Sequence, residues 1–246
     1  MPFKSQNNPF IFIEGDATNA SKAVIILPDI FSFNHGNLET LEMFAKELDL
    51  PIFGLDYFYE ITGQNNELEY TMGSEAVSLM QKMTGENFVS IFNKAVEAIL
   101  NSNPTIQEFT VIGFCFGGRL AYLSGLNNKV SKVISFYGSR MHDPVFYQAK
   151  SAVASLCLSR NSDKNLKVLA LFGEDDASTP DIDLELSVDS FKHANIYYKE
   201  VVYPNAGHAF FAKERPVYNK EAYDQALEEV KNFIILGLPQ ITQTQL

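Results

Sequence analysis

The 246-residue chain predicts an α/β architecture, a mostly parallel central sheet with helices on both faces. Three observations lead there. Short β-branched runs alternate with longer stretches of helical apolar spacing. A glycine-flanked turn, 113–118 (GFCFGG), runs from a strand pattern straight into a helix pattern. Four polar residues suited to chemistry, Asp29, Cys115, Asp176 and His208, each stand just past the end of an expected strand.

Taken in order, residues 23–27 (AVIIL) are wholly apolar, as in a strand covered on both faces. A polar loop follows, then helical spacing over 38–48, then a second strand at 51–55 (PIFGL). Residues 57–86 are polar and glycine-punctuated, which predicts an insertion over the sheet edge and a candidate lid. Over 86–100, Phe88, Ile91, Phe92, Ala95, Val96 and Ile99 recur at three- and four-residue intervals, the signature of a helix with one buried face. A strand at 109–112 enters the 113–118 turn, and a helix continues through Leu123. Further strands are expected at 130–136, 168–172 and 196–202, with helices over 182–191 and 218–235 and a fraying tail at 240–246. No repeat, low-complexity tract or Pro/Gly-rich linker interrupts this alternation, so residues 1–246 read as one domain.

Apolar residues make up 46% of the chain and aromatics 13%, ordinary for a globular protein. The formal net charge of −11 opposes phosphate backbones and anionic membranes, and Lys and Arg are scattered singly, so neither nucleic acid nor membrane is an expected partner. Cys115 and Cys157 are too few for a disulfide framework and read as free thiols. With a polar start at 1–8 and no bilayer-length apolar run, the expected location is cytoplasmic. No cofactor is called for: the 113–118 turn lacks the Walker spacing and its lysine, and no histidine pair has metal-ligand spacing.

In a parallel sheet, ligands bind beyond the carboxyl ends of the strands, which puts the four polar residues on one rim. Gly113-Phe114-Cys115-Phe116-Gly117 has the form of a nucleophile elbow with cysteine in the serine position. Such a turn tolerates almost no side chain two residues either side of the nucleophile, and the helix beginning near Phe116 favours negative charge on the sulfur. The Phe116 N–H is one candidate oxyanion donor. Ile30, in the loop Pro28-Asp29-Ile30-Phe31, is the other, with Asp29 equally suited to capping a turn. His208, in Gly207-His208-Ala209-Phe210, occupies the loop expected to carry a base. Of the remaining histidines, His193 ends a helix, His142 has no evident partner, and His35 reads best as a helix cap. In Gly173-Glu174-Asp175-Asp176, a carboxylate can accept from the imidazole. Asp176 has the better spacing to Gly173 and Pro180, and Asp175 competes with it. The order nucleophile, acid, histidine is that of α/β-hydrolases.

These segments together resemble the dienelactone hydrolase (carboxymethylenebutenolidase) family over most of the chain. The Gly-x-Cys-x-Gly-Gly elbow corresponds to 113–118 and runs on into Arg119-Leu120-Ala121; Asp176 and the Gly-His-x-Phe motif at 207–210 correspond to the family's acid and base; Phe136-Tyr137-Gly138 is similar to another family segment. The resemblance implies a single α/β-hydrolase domain with a Cys115–His208–Asp176 triad. It also implies a turn, Asp29-Ile30-Phe31, in which Asp stands where the family has a Glu that holds the resting thiol. Asp29, Phe31, Tyr137 and Arg119 are thus candidates for lining the substrate pocket or contacting that thiol. The arginines by which family members grip a substrate carboxylate are absent: the chain reads Ala209-Phe210-Phe211-Ala212 after the histidine, and Lys82 is the one basic residue in 57–86. Lys213, Arg215 and Arg119 are the nearest substitutes.

The expected activity is cysteine-dependent hydrolysis of a small activated ester or lactone through an acyl-thioester. Two other classes compete. A catalytically silent scaffold is disfavoured by suitable residues at all three triad positions. A thiol redox sensor is disfavoured because Cys157 lies in the apolar run 152–158 and no Cys-x-x-Cys pair exists.

Overall fold

The computed structural model describes residues 3–4, 8–144 and 146–236. Its elements, in chain order, begin with strands β1 (Phe3–Lys4), β2 (Ile11–Glu14) and β3 (Lys22–Leu27), helix α1 (His35–Leu48), strand β4 (Ile52–Leu55) and helices α2 (Tyr59–Thr62), α3 (Gly73–Lys82) and α4 (Gly85–Ser102). There follow β5 (Glu108–Phe114), α5 (Phe116–Ser124), β6 (Val130–Phe136), α6 (Ala152–Ser159), β7 (Lys167–Gly173), α7 (Asp181–His193), β8 (Tyr197–Tyr203) and α8 (Lys220–Lys231), closed by a π-helical turn at Asn232–Leu236.

The strands form one sheet in the order β1-β2-β4-β3-β5-β6-β7-β8. From β4 to β8 every neighbouring pair is parallel, while β2 runs antiparallel to β4 and β1 antiparallel to β2. Six parallel strands therefore present their carboxyl ends on one rim, with β5 near the middle. The antiparallel pair β1–β2 at one edge was outside the sequence expectation. Ile11 and Phe12 are both buried, so this strand has no apolar/polar alternation to announce it.

Alternate strand residues feed two cores. On one face Ile25, Val111, Val133 and Val168 pack with the apolar stripe of α4 (Phe88, Ile91, Phe92, Ala95, Val96, Ile99) and with α5 to α7. On the other, Val24, Ile26, Ile112, Ile134 and Leu169 pack with Leu41, Phe44 and Leu48 of α1 and with Ala222, Ala226 and Val230 of α8. Helix ends are set by side chains. Asn34, Thr84, Ser151 and Asn219 each accept a hydrogen bond from the third residue on, which defines the first turns of α1, α4, α6 and α8. The expected closing helix over 218–235 is accordingly shorter: it starts after the Asn219 cap, and its last turn is π-helical.

Residues 57–86 are more ordered than an insertion loop. They contain α2 and α3 and are tied down at several points. Tyr57 and Phe58 are buried, the Asp56 carboxylate accepts from the Phe58 and Asn66 amides, the Leu68 amide donates to Phe31 O, and Asn34 Nδ2 donates to Leu68 O. Helix α3 fully buries Ala76 alone, with Leu79 and Met80 packed beside it on the first core at three- and four-residue spacing, a stripe too short to stand out among the polar residues around it. Helix α6 has the look of a plain apolar run in the sequence, because a segment apolar nearly all round has no 3.6-residue signal. The 240–246 tail lies outside the described residues, and no described helix is long and apolar enough to cross a membrane.

Candidate active site

Strand β5 delivers Cys115 to the rim at φ 54°, ψ −116°, a left-handed backbone that an L-residue adopts only under constraint. The constraint is visible on both sides. A Cβ at Gly113 would collide with Gly117 O, and a Cβ at Gly117 would collide with Pro28 O and Leu27 O. The Cys115 amide donates to Phe136 O (3.0 Å), and its carbonyl accepts from Arg119 N (3.2 Å), so the turn is stitched to β6 and to the first turn of α5. The thiol projects where the two cores meet and packs against both.

His208 arrives from the loop after β8. Its Nε2 lies 3.1 Å from Cys115 Sγ and its Nδ1 2.8 Å from Asp176 Oδ2. The ring of Tyr137 meets it edge-on, with centroids 5.2 Å apart. Asp176, in the loop after β7, is 4% exposed, and its other oxygen accepts from the Ser178 amide (2.9 Å) and hydroxyl (2.6 Å). Having donated its proton to Asp176, the Ser178 hydroxyl presents a lone pair to His208 Nδ1 at 2.9 Å, so the Nδ1–H is shared between carboxylate and hydroxyl. Asp175 instead faces solvent, and its amide donates to Ala206 O. Ser178 was not anticipated; the Asp-x-Ser spacing of an Asx-type turn was the signal present.

The electrostatics follow from these contacts. Burial alone would lower the His208 pKa, but hydrogen bonds to Asp176 and Cys115, with the negative charges behind them, hold it up at about 10. Burial pushes the Asp176 carboxyl upward, and bonds from His208 and Ser178 outweigh it, leaving the group below the usual aspartate range. The site thus favours an imidazolium poised between a carboxylate and the sulfur.

The loop Pro28-Asp29-Ile30-Phe31 lies across the elbow. Among the described residues neither the Ile30 nor the Phe116 amide has a hydrogen-bond acceptor. The Asp29 carboxylate, 5% exposed, accepts from the Phe31 amide (2.9 Å) and Asn37 Nδ2 (2.9 Å), and burial raises its pKa. No hydrogen bond among the described residues joins Asp29 to Cys115, whose partner is His208. Phe31 is buried edge-on to Tyr70 at 5.0 Å, and the Arg215 guanidinium stands 5.3 Å from the Tyr70 ring and 5.8 Å from the Phe31 ring. Arg119 points elsewhere: it is buried, stacks 3.6 Å over Phe146 and pairs with Asp143 at 3.3 Å. Lys213 lies over Tyr223, and Lys82 is exposed on α3.

The other polar candidates are occupied. His142 Nε2 is 2.8 Å from Ser187 Oγ, and His193 Nδ1 is 2.7 Å from Asp189 O. His35, Glu39 and Glu214 bring three exposed ligand atoms within 4.8 Å of one another. They sit at the N-terminus of α1, where the helix dipole opposes a cation. Cys157 is nearly buried on α6, and burial pushes its thiol up to about 12.

Comparison with known proteins adds a second line of observation. A family model described as the dienelactone hydrolase family matches residues 11–235. A Synechocystis protein named "Putative carboxymethylenebutenolidase" is 30% identical over 227 residues, covering 91% of this chain and 86% of its own. An Escherichia coli K12 protein of the same name is 25% identical over 215 residues, 85% of this chain and 76% of its own. The crystal structure of a "Putative Dienelactone Hydrolase" from Klebsiella pneumoniae superposes with a TM-score of 0.72 at 21% identity, over 89% of this chain and 90% of that one. A "Dienelactone Hydrolase-like Promiscuous" phosphotriesterase from metagenomic libraries gives a TM-score of 0.70 at 17% identity, over 91% and 90%. At these identities the structural likenesses speak for the fold alone.

Proposed function

The chain belongs to the dienelactone hydrolase family, and from that premise we propose that it hydrolyses activated carboxylic esters or lactones through an acyl-thioester on Cys115. The observation that carries the reading is the 3.1 Å contact between Cys115 Sγ and His208 Nε2, with Asp176 behind the ring at 2.8 Å.

The steps follow from charge. The thiolate beside the His208 imidazolium attacks the carbonyl carbon, and the oxyanion forms against the free N–H groups of Ile30 and Phe116. Collapse expels the alcohol oxygen, which takes the proton from His208. Thiolate charge is lost on acylation, so one of the two groups holding the imidazolium in its protonated state disappears as that proton is needed. The neutral imidazole then accepts a proton from water, which attacks the thioester. Thiolate departs from the second tetrahedral intermediate, and the carboxylic acid is released. Asp176 keeps Nδ1 protonated and the ring in place throughout.

Sulfur also restricts the substrate. A thiolate leaves the first intermediate more readily than an ordinary alkoxide, so attack on an alkyl ester mostly reverses. Enolates and phenolates compete well enough, which favours enol lactones and aryl esters. Arg215, the cation beside Phe31 and Tyr70, is the side chain we assign to a substrate carboxylate, in place of the arginines the family uses elsewhere. The two free thiols suit a reducing compartment such as the cytoplasm. A panel of enol lactones, aryl esters and ethyl esters, assayed with wild type and Cys115→Ser, tests the reading. Preference for the first two and loss of turnover in the variant support it. Equal rates on ethyl esters count decisively against it.

A further inference from the structure

We infer that Tyr57 is a positioning residue for the oxyanion hole: its buried hydroxyl fixes the peptide plane that carries the Ile30 N–H. The inference rests on the proposed thioester chemistry and goes beyond it, since the Tyr57 hydroxyl is hydrogen-bonded to Pro28 O and Asp29 O and, among the described residues, not to the sulfur, the imidazole or the triad carboxylate.

Tyr57 lies just past β4, 1% exposed. Its hydroxyl is 2.8 Å from Pro28 O and 2.9 Å from Asp29 O. Both neighbours are carbonyl oxygens, which only accept, so the single phenolic proton is shared between them. Burial, first of all, raises the Tyr57 pKa well above its ordinary value, and the hydroxyl remains a donor across the working pH range. Asp29 O also accepts from the Ser32 amide at 3.1 Å. Two donors therefore hold this one carbonyl, and a peptide group is planar, with C=O and N–H on opposite sides when trans. No cis peptide occurs among the described residues. Holding Asp29 O toward Tyr57 and Ser32 consequently turns the Ile30 N–H to the other side of the plane and keeps it there.

The second donor is tied to the same side chain. The Tyr57 ring packs edge-on against Phe116, centroids 6.1 Å apart, and Phe116 supplies the other free amide. Pro28 O, the second acceptor of the Tyr57 proton, is the oxygen that closes over Gly117 in the elbow helix. One side chain from the loop after β4 thus spans the loop bearing the first donor and the turn bearing the second. A hydrogen bond to the Asp29 carbonyl also polarises its peptide and makes the Ile30 N–H a stronger donor.

The test is Tyr57→Phe, which keeps the ring and deletes the proton. Two reactions of the same sulfur separate the roles. Acylation by a p-nitrophenyl ester builds an oxyanion, whereas alkylation by iodoacetamide builds none. The expected result is a fall of about tenfold in the acylation rate with KM little changed, while the rate and pH profile of alkylation at Cys115 stay within about twofold of wild type. Unchanged alkylation also reports that the variant is folded with Cys115 and His208 in contact. A thionoester, whose sulfur accepts hydrogen bonds weakly, should show a smaller difference between variant and wild type. Equal loss of acylation and alkylation, or loss of neither, overturns the inference. If Cys115→Ala cleaves the aryl ester as fast as wild type, the thioester reading itself fails and takes this inference with it.

Discussion

Asp175 and Asp176 are adjacent carboxylates with opposite fates, and the difference is one of backbone direction. The Asp175 amide is tied to Ala206 O and its side chain faces water, whereas Asp176 turns inward to His208 Nδ1 and collects two more bonds from Ser178. Asp176→Asn should lower kcat by roughly a hundredfold or more, because an amide no longer stabilises the imidazolium or enforces its tautomer. Asp175→Asn should stay within about twofold of wild type, since an exposed turn residue away from the ring has little to contribute. Steady-state assays on one aryl ester decide between them, and a larger loss at 175 would reverse the assignment. At this scale the chain was legible where chemistry is written into local spacing. The flanked cysteine at 115 and the Gly-His-x-Phe segment at 207–210 mark where a strand ends and a side chain meets the rim. Ser178, Tyr57 and Tyr70 were not legible, because what they do depends on loops that meet only after folding. Arg119 illustrates the converse: its place next to the elbow suggests the pocket, but its guanidinium is taken up by Asp143 and Phe146, which are distant in sequence and meet it only after folding.

The elements that hold the site are three strand-to-loop transitions and one close crossing. β5, β7 and β8 are parallel and delivered Cys115, Asp176 and His208 to the same rim without any long-range information beyond the strand order. The crossing is between α5 and the loop after β3, where Gly117 lies against Leu27 O and Pro28 O. Gly117→Ala should therefore force the helix and the loop after β3 apart. The expected cost is about 1–3 kcal/mol of stability by urea denaturation, with activity falling further than stability because the Ile30 and Phe116 amides separate. Wild-type turnover in that variant would show that the crossing is looser than its geometry indicates. Two elements that are hard to see in the sequence share a cause. β2 is apolar on both faces and α6 is apolar nearly all round, so neither has the periodicity by which strands and helices are told apart. In α3 the apolar stripe, Ala76, Leu79 and Met80, is short and set among exposed residues. The strands of the parallel sheet, long and β-branched, carried no such ambiguity.

For the whole molecule the Cys115–His208–Asp176 contact is also a pH-dependent clasp between one edge of the sheet and its middle, joining the loops after β7 and β8 to the turn after β5. The folded His208 pKa of about 10 stands above the ordinary 6.5 of an unfolded chain. Its contribution to stability is therefore complete below about pH 6.5 and disappears as pH climbs through about 10. Wild type should be more stable than His208→Gln at neutral pH, with the gap closing through the alkaline range, as read from urea midpoints of the two proteins side by side. A gap that stays constant across that range would mean the imidazole is uncharged in the fold. The net charge of −11 raises self-repulsion in both proteins alike and drops out of the difference. The burial of Cys157 has a practical corollary. With its thiol pushed up to about 12 and packed on α6, the native chain offers a thiol reagent one competent sulfur. One equivalent of a mild chromogenic disulfide then counts folded chains directly, and a second equivalent consumed would gauge how much of a preparation has come undone.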